Sequence, residues 1–221
     1  MPADLSSLAR GFARQLQDSL NSTIAQHVKL KAALRPTSPV GPVFTVGSGL
    51  SAANTTQPTG FPLGITKKKP RIWMNLSYQV RMDEEQKYLM VHSSYCGIFA
   101  DAALETCLCH FDYERDKEHY TSAHIQVYGA SPALEILNRE GDEKRPLEKL
   151  HFPVGGSRFR PCLEDIIEFL VQERLTDGRS GWQEIVKSGR DQFHRSQLRA
   201  AMRRDTAVAE DFIREQAPEG A

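Results

Sequence analysis

The chain has 221 residues, of which 40% are hydrophobic and 8% aromatic, enough for one packed core with appendages. Lys and Arg together number 28, as do Asp and Glu, so no net field favours nucleic acid or membrane, and any electrostatic function must come from local clustering. No run approaches the roughly 20 apolar residues that span a bilayer, and no charged leader precedes an apolar stretch, so a cytoplasmic protein with no membrane association is expected.

Leu5, Leu8, Phe12, Leu16, Leu20, Ile24 and Val28 recur at steps of three and four, which predicts one long helix over about residues 4–34, ended by Pro36. Its apolar stripe must be covered by the body of the protein or by another chain. Residues 1–35 are therefore a candidate for self-association or for a protein partner. Residues 36–70 carry Pro36, Pro39, Pro42, Pro58, Pro62 and Pro70 among Gly, Ser and Thr, and read as a linker or arm. Val43, Phe44, Val46, Leu50, Phe61, Leu63 and Ile65 exceed what a spacer needs, so parts of the arm are expected to lie extended on a surface. It closes on Lys67, Lys68, Lys69 and Arg71, a basic cluster whose default reading is a solvated domain edge.

Residues 71–221 are expected to form the α+β domain. Ile72, Met74, Leu76, Tyr78 and Val80 alternate with polar residues as in a half-buried strand, and similar runs follow at about 87–94, 105–114, 123–129 and 149–154. The simplest assembly is an antiparallel β-meander of about five strands. Pro161 opens a helix whose core face is Leu163, Ile166, Ile167 and Leu170, and a last long helix runs from Trp182 towards Glu215 with one break near Gly189. The predicted fold class is thus α+β, a meander covered by C-terminal helices and preceded by the long N-terminal helix.

Cys96, Cys107, Cys109 and Cys162 fall mostly in apolar runs and predict buried free thiols rather than a metal site. No cofactor fingerprint, nucleophile elbow or metal motif occurs, so no cofactor and no metal are expected. Period two puts His110, Asp112 and Glu114 on one face of their strand, opposite Cys109, Phe111 and Tyr113. A hairpin through residues 115–121 would set Asp112 near His124, and alternation with Leu150 and Phe152 lets His151 join the same face. A carboxylate beside imidazole orients a general base. His124 and His151 are therefore the candidate acid and base for phosphodiester cleavage, with Asp112 orienting His124 and His110 as a further member. The ordinary alternative is a solvated sheet face with cross-strand polar pairs.

Gly155 and Gly156 let the backbone approach a ligand, and Arg158 and Arg160 next to a helix start are candidates to hold phosphate. Glu164 and Asp165 already satisfy that helix dipole, so a purely structural turn competes. In the last helix Arg195, Arg199 and Arg203 stand four apart beside Lys187, Arg190 and Arg204, a candidate footprint for RNA or DNA phosphates. A solvated helix face paired with Glu210, Asp211 and Glu215 is the alternative.

The succession of His110, Asp112 and Glu114 on a charged aromatic strand, His124 on the next, His151 and Pro153 on a third, then Arg158, Arg160 and Pro161 at a helix, resembles uncharacterised bacterial proteins of the actinomycete type. Its order is also similar to small proteins of toxin–antitoxin and phage-defence neighbourhoods. That resemblance covers about half the chain and implies a nucleic-acid-associated component of a bacterial defence or toxin–antitoxin system, with an RNA-cleaving toxin-like domain as its enzymatic form. The residues alone also support a non-enzymatic scaffold or adaptor that oligomerises or binds a partner through the N-terminal helix.

Overall fold

The computed structural model describes residues 4–36, 38, 41–66, 69–115, 117–118, 121–131, 147–156 and 158–216. Helix α1, Leu5–Thr23, begins where the Asp4 carboxylate accepts the Ser6 and Ser7 backbone N–H groups at 3.2 and 3.3 Å, satisfying donors that a helix start leaves open. It ends at Thr23 and not near Leu34 as the apolar rhythm predicts. The Asn21 side-chain amide clamps the reversal: it accepts the Val28 N–H and donates to the Val28 carbonyl, both at 2.9 Å. The rhythm runs on because Ile24, Ala25 and Val28, although outside the helix, are buried in the same core. Strand β1, Leu30–Leu34, follows. The apolar face of α1, including Ala9, Ala13, Leu16 and Leu20, is covered by the protein's own sheet and helices.

The segment expected as an arm also supplies structure: β2 is Phe44–Ser48 and β3 is Phe61–Leu63. Its surplus apolar residues Val43, Phe44, Val46, Leu50, Phe61 and Leu63 are all buried, and that burial draws the segment into the fold despite its prolines. Pro62 is tolerated inside β3 because that strand pairs on one side alone, with β4. Of the basic cluster after it, Lys67 and Lys68 lie outside the described residues.

Strands β4 (Ile72–Met82), β5 (Leu89–Phe99), β6 (Cys107–Glu114), β7 (Ala123–Val127) and β8 (Phe152–Pro153) complete the sheet. Among the described residues it has eight strands, ordered β1-β2-β4-β5-β6-β7-β8 with β3 beside β4, and every pair is antiparallel. The α+β class stands as expected. The strand number exceeds the expected five by β1, β2 and β3.

Three helices follow: α2 (Leu163–Gln172), α3 (Trp182–Arg204) and α4 (Thr206–Gln216). Helices α1, α2 and α3 bury Leu16, Leu20, Ile166, Ile167, Leu170 and Val186 against Met74, Leu76, Val80, Ile98 and Cys109 of the sheet, whereas α4 buries none of its side chains. The break expected near Gly189 falls at Asp205, whose Oδ1 accepts the Val208 N–H at 3.2 Å and caps α4. Gly189 serves packing, since a Cβ there would lie 2.4 Å from Glu164 Oε1. Leu198, Met202, Val208, Phe212 and Ile213 on the C-terminal arm are exposed. All four cysteines are free, and Cys96, Cys109 and Cys162 are buried. No helix among the described residues is long and apolar enough to cross a membrane.

Candidate functional site

The register of β6 against β7 sets Asp112 opposite His124 and His110 opposite Gln126. Because residues two apart share a face, these four side chains gather on the side of the sheet away from the helices. Asp112 Oδ2 lies 3.4 Å from His110 Nε2 and 3.7 Å from His124 Nε2, so one carboxylate stands between two imidazoles. His151, just before β8, packs edge-on against His124 with ring centroids 4.6 Å apart. His110, Asp112, His124 and His151, picked out by strand alternation, are thus brought together. Glu114 points to the same side but is exposed and pairs with Lys117 at 2.5 Å.

Hydrogen bonds fix the rings. His110 Nε2 meets Gln126 Oε1 at 2.6 Å, and since Gln126 donates through Nε2 to the Glu148 carbonyl at 2.7 Å, its oxygen is left to accept from His110. His124 Nδ1 lies 3.2 Å from the Thr121 carbonyl, which can only accept. Nδ1 therefore carries a proton, and Nε2 faces Asp112. His110 and His124 are 8% and 3% exposed, so this is not a wet polar surface. Burial pulls the His110 pKa down, but the Asp112 carboxylate and the Gln126 hydrogen bond outweigh it and leave it above the ordinary histidine value. His151 is held below the ordinary value by burial and by the charge of His124, with Asp112 opposing.

Tyr95 and Tyr128 flank His110, with ring centroids 5.4 and 5.7 Å from it. Tyr95 was not among the sequence candidates, although its place opposite Asp112 on β5 follows once strand order is known. Its neighbour Gly97 opposes His110, and a Cβ there would lie 2.4 Å from the Tyr95 hydroxyl. The absent side chain at Gly97 is what lets Tyr95 lie across the strand.

Arg160 lies on the helix side of β6 and lines one cavity with Asp112 and His124. It is buried, and its guanidinium stacks 4.0 Å over the ring of Tyr113, which points to the opposite side of β6 from Asp112. A cavity of about 20 Å³, room for roughly one water, adjoins Arg160, Tyr113, Tyr78 and Ser94 and extends to His124. The Tyr113 hydroxyl is buried there without a hydrogen-bond partner among the described residues. Arg158 is half-buried in the same loop. Arg195, Arg199 and Arg203 lie exposed along α3, and among the described residues none forms an ion pair, so the expected pairing with Glu210, Asp211 and Glu215 is not formed. Arg190, by contrast, is committed to Asp165 and Glu168 of α2.

Among the described residues no group of three His, Cys, Asp or Glu side chains is arranged to hold a metal ion. Compared with protein-family models, curated proteins and solved structures, the chain matches none.

Proposed function

We propose that this protein associates with nucleic acid along the arginine row of α3 and acts on RNA by acid–base chemistry at the histidine cluster. The observation that carries the proposal is the burial of His110 and His124 around one carboxylate. A solvated face with cross-strand pairs would keep such groups wet, whereas burying them costs free energy that catalysis can explain. The resemblance noted above gives this reading its setting, a component of a bacterial defence or toxin–antitoxin system.

In the proposed reaction His151, whose low pKa keeps it neutral near pH 7, takes the proton of a ribose 2′-hydroxyl while that oxygen bonds to phosphorus. His124 as imidazolium, its Nδ1–H held by the Thr121 carbonyl and its charge offset by Asp112 at 3.7 Å, gives its Nε2 proton to the departing 5′-oxygen as the P–O5′ bond breaks, leaving a 2′,3′-cyclic phosphate. Arg195, Arg199 and Arg203, on the helix side of the sheet, hold flanking backbone phosphates, and Arg160, which lines one cavity with Asp112 and His124, is the arginine nearest the cluster. The test is cleavage of end-labelled single-stranded RNA by the full chain, with binding measured across a salt series. Loss of cleavage in both His124→Ala and His151→Ala, and a shallower salt slope in Arg199→Ala, is expected. Absence of cleavage, or cleavage unchanged by both histidine substitutions, would overturn the catalytic part.

A further inference from the structure

The β6–β7 ladder carries the side chains of one face in rungs two residues, about 7 Å, apart. On the face of the histidines Asp112 and His124 form one rung, and His110 and Gln126 the next. The third continues the same register: Cys109 pairs with Val127, and the Tyr128 N–H donates to the Leu108 carbonyl at 3.0 Å, which sets Leu108 beside Tyr128 on that face. Unlike the two rungs before it, this one is apolar and lies open. Tyr128 is 40% and Leu108 39% exposed, against 8% for His110.

Direct contacts join this shelf to the cluster. The Tyr128 ring lies 5.7 Å from that of His110, whose Nε2 is 3.4 Å from Asp112 Oδ2, and the same oxygen is 3.7 Å from His124 Nε2. Tyr95 adds a second ring beside His110, 5.4 Å away. The Nε2 edge of His110 is engaged within the protein, by Gln126 Oε1 at 2.6 Å and by Asp112, so this end of the ladder offers a ligand ring surface and the Leu108 methyls. The patch is also small. Two side chains at this exposure present on the order of 200 Å², well short of the roughly 800 Å² that each partner buries in a stable protein interface, but enough for one planar ring system.

We infer that Leu108 and Tyr128 form a subsite for one nucleobase, stacked on the Tyr128 ring and belonging to the RNA strand that His124 and His151 address. The inference rests on the proposed action on RNA and names the part of the substrate that this end of the ladder holds. Two rungs, about 13 Å measured along the strands, correspond to one or two nucleotide steps of an extended single strand. A phosphodiester at the Asp112–His124 rung therefore brings the base of a nearby nucleotide onto the shelf. Stacking accepts every base because each presents a flat π face, and a purine covers more of the tyrosine ring than a pyrimidine does.

The test is nuclear magnetic resonance titration of the full chain with adenosine 5′-monophosphate, uridine 5′-monophosphate and ribose 5-phosphate, which has the sugar and phosphate but no base. The adenosine nucleotide is expected to bind about tenfold more tightly than ribose 5-phosphate, with the uridine nucleotide between them. Tyr128→Phe is expected to keep that margin and Tyr128→Ala to abolish it. Phe212→Ala, which removes a still more exposed aromatic ring on α4, is expected to leave it unchanged. Equal binding of the adenosine nucleotide and ribose 5-phosphate overturns the inference, as does a margin that survives Tyr128→Ala in folded protein. Cleavage of RNA is read separately on the same proteins. A base-dependent margin in a chain that does not cleave overturns the catalytic reading and leaves the base subsite standing, whereas cleavage without the margin does the reverse.

Discussion

Arg190 donates through Nε to Asp165 Oδ1 at 2.7 Å, and the other oxygen of that carboxylate accepts the Cys162 backbone N–H at 2.8 Å. One side chain thereby caps the start of α2 and ties α3 to it, while the second arm of Arg190 reaches Glu168. Arg190→Met would leave both acids without their cation but keep the stem's packing. A loss of about 1–2 kcal/mol is expected, held down by the quarter-exposed setting of the pair, and a fall of a few degrees in Tm would register it. An unchanged Tm would mean that the tie contributes nothing to stability.

Gly97→Ala tests how the histidine cluster is walled. The new methyl would meet the Tyr95 hydroxyl at 2.4 Å and Phe99 Cε2 at 2.6 Å, so the Tyr95 ring must move off the strand. Stability is expected to fall by about 1–3 kcal/mol in denaturant unfolding, and the His110 ring resonances should shift because Tyr95 is its neighbour. Unmoved resonances would show that Tyr95 does not shape the surroundings of His110.

His110 gives the fold a pH signature. Its folded pKa lies above the unfolded value of about 6.5, so its contribution is full below that pH and fades as pH rises through the folded pKa. The stability advantage of wild type over His110→Gln should therefore shrink between about pH 6 and pH 8. His151, with its pKa lowered, acts in the opposite sense: its contribution is present above the unfolded pKa and is lost as pH falls through the folded one. A constant difference between the two proteins across that range would contradict the coupling of His110 to Asp112.

The later half of the fold was legible because β4, β6 and β7 alternate cleanly, and strict alternation fixes which residues share a face. That is why Asp112, His124 and His151 could be brought together from spacing alone. The first half misled because periodicity records burial rather than conformation. Ile24 and Val28 continue the stripe of α1 through a turn, and the prolines around β2 and β3 hide two strands too short to alternate visibly. The stacking of Arg160 on Tyr113 had no sequence signal, since it depends on where the chain before α2 meets β6.

Among the described residues, the two rims of the sheet are unequal as templates. β8 is two residues long and one of them is Pro153, which has no N–H to offer an incoming strand, whereas β1 at the other end is a five-residue strand without proline. Growth of the sheet by strand addition, whether by a peptide or by a misfolded copy, is therefore directed to the β1 rim and kept away from the histidines beside β8.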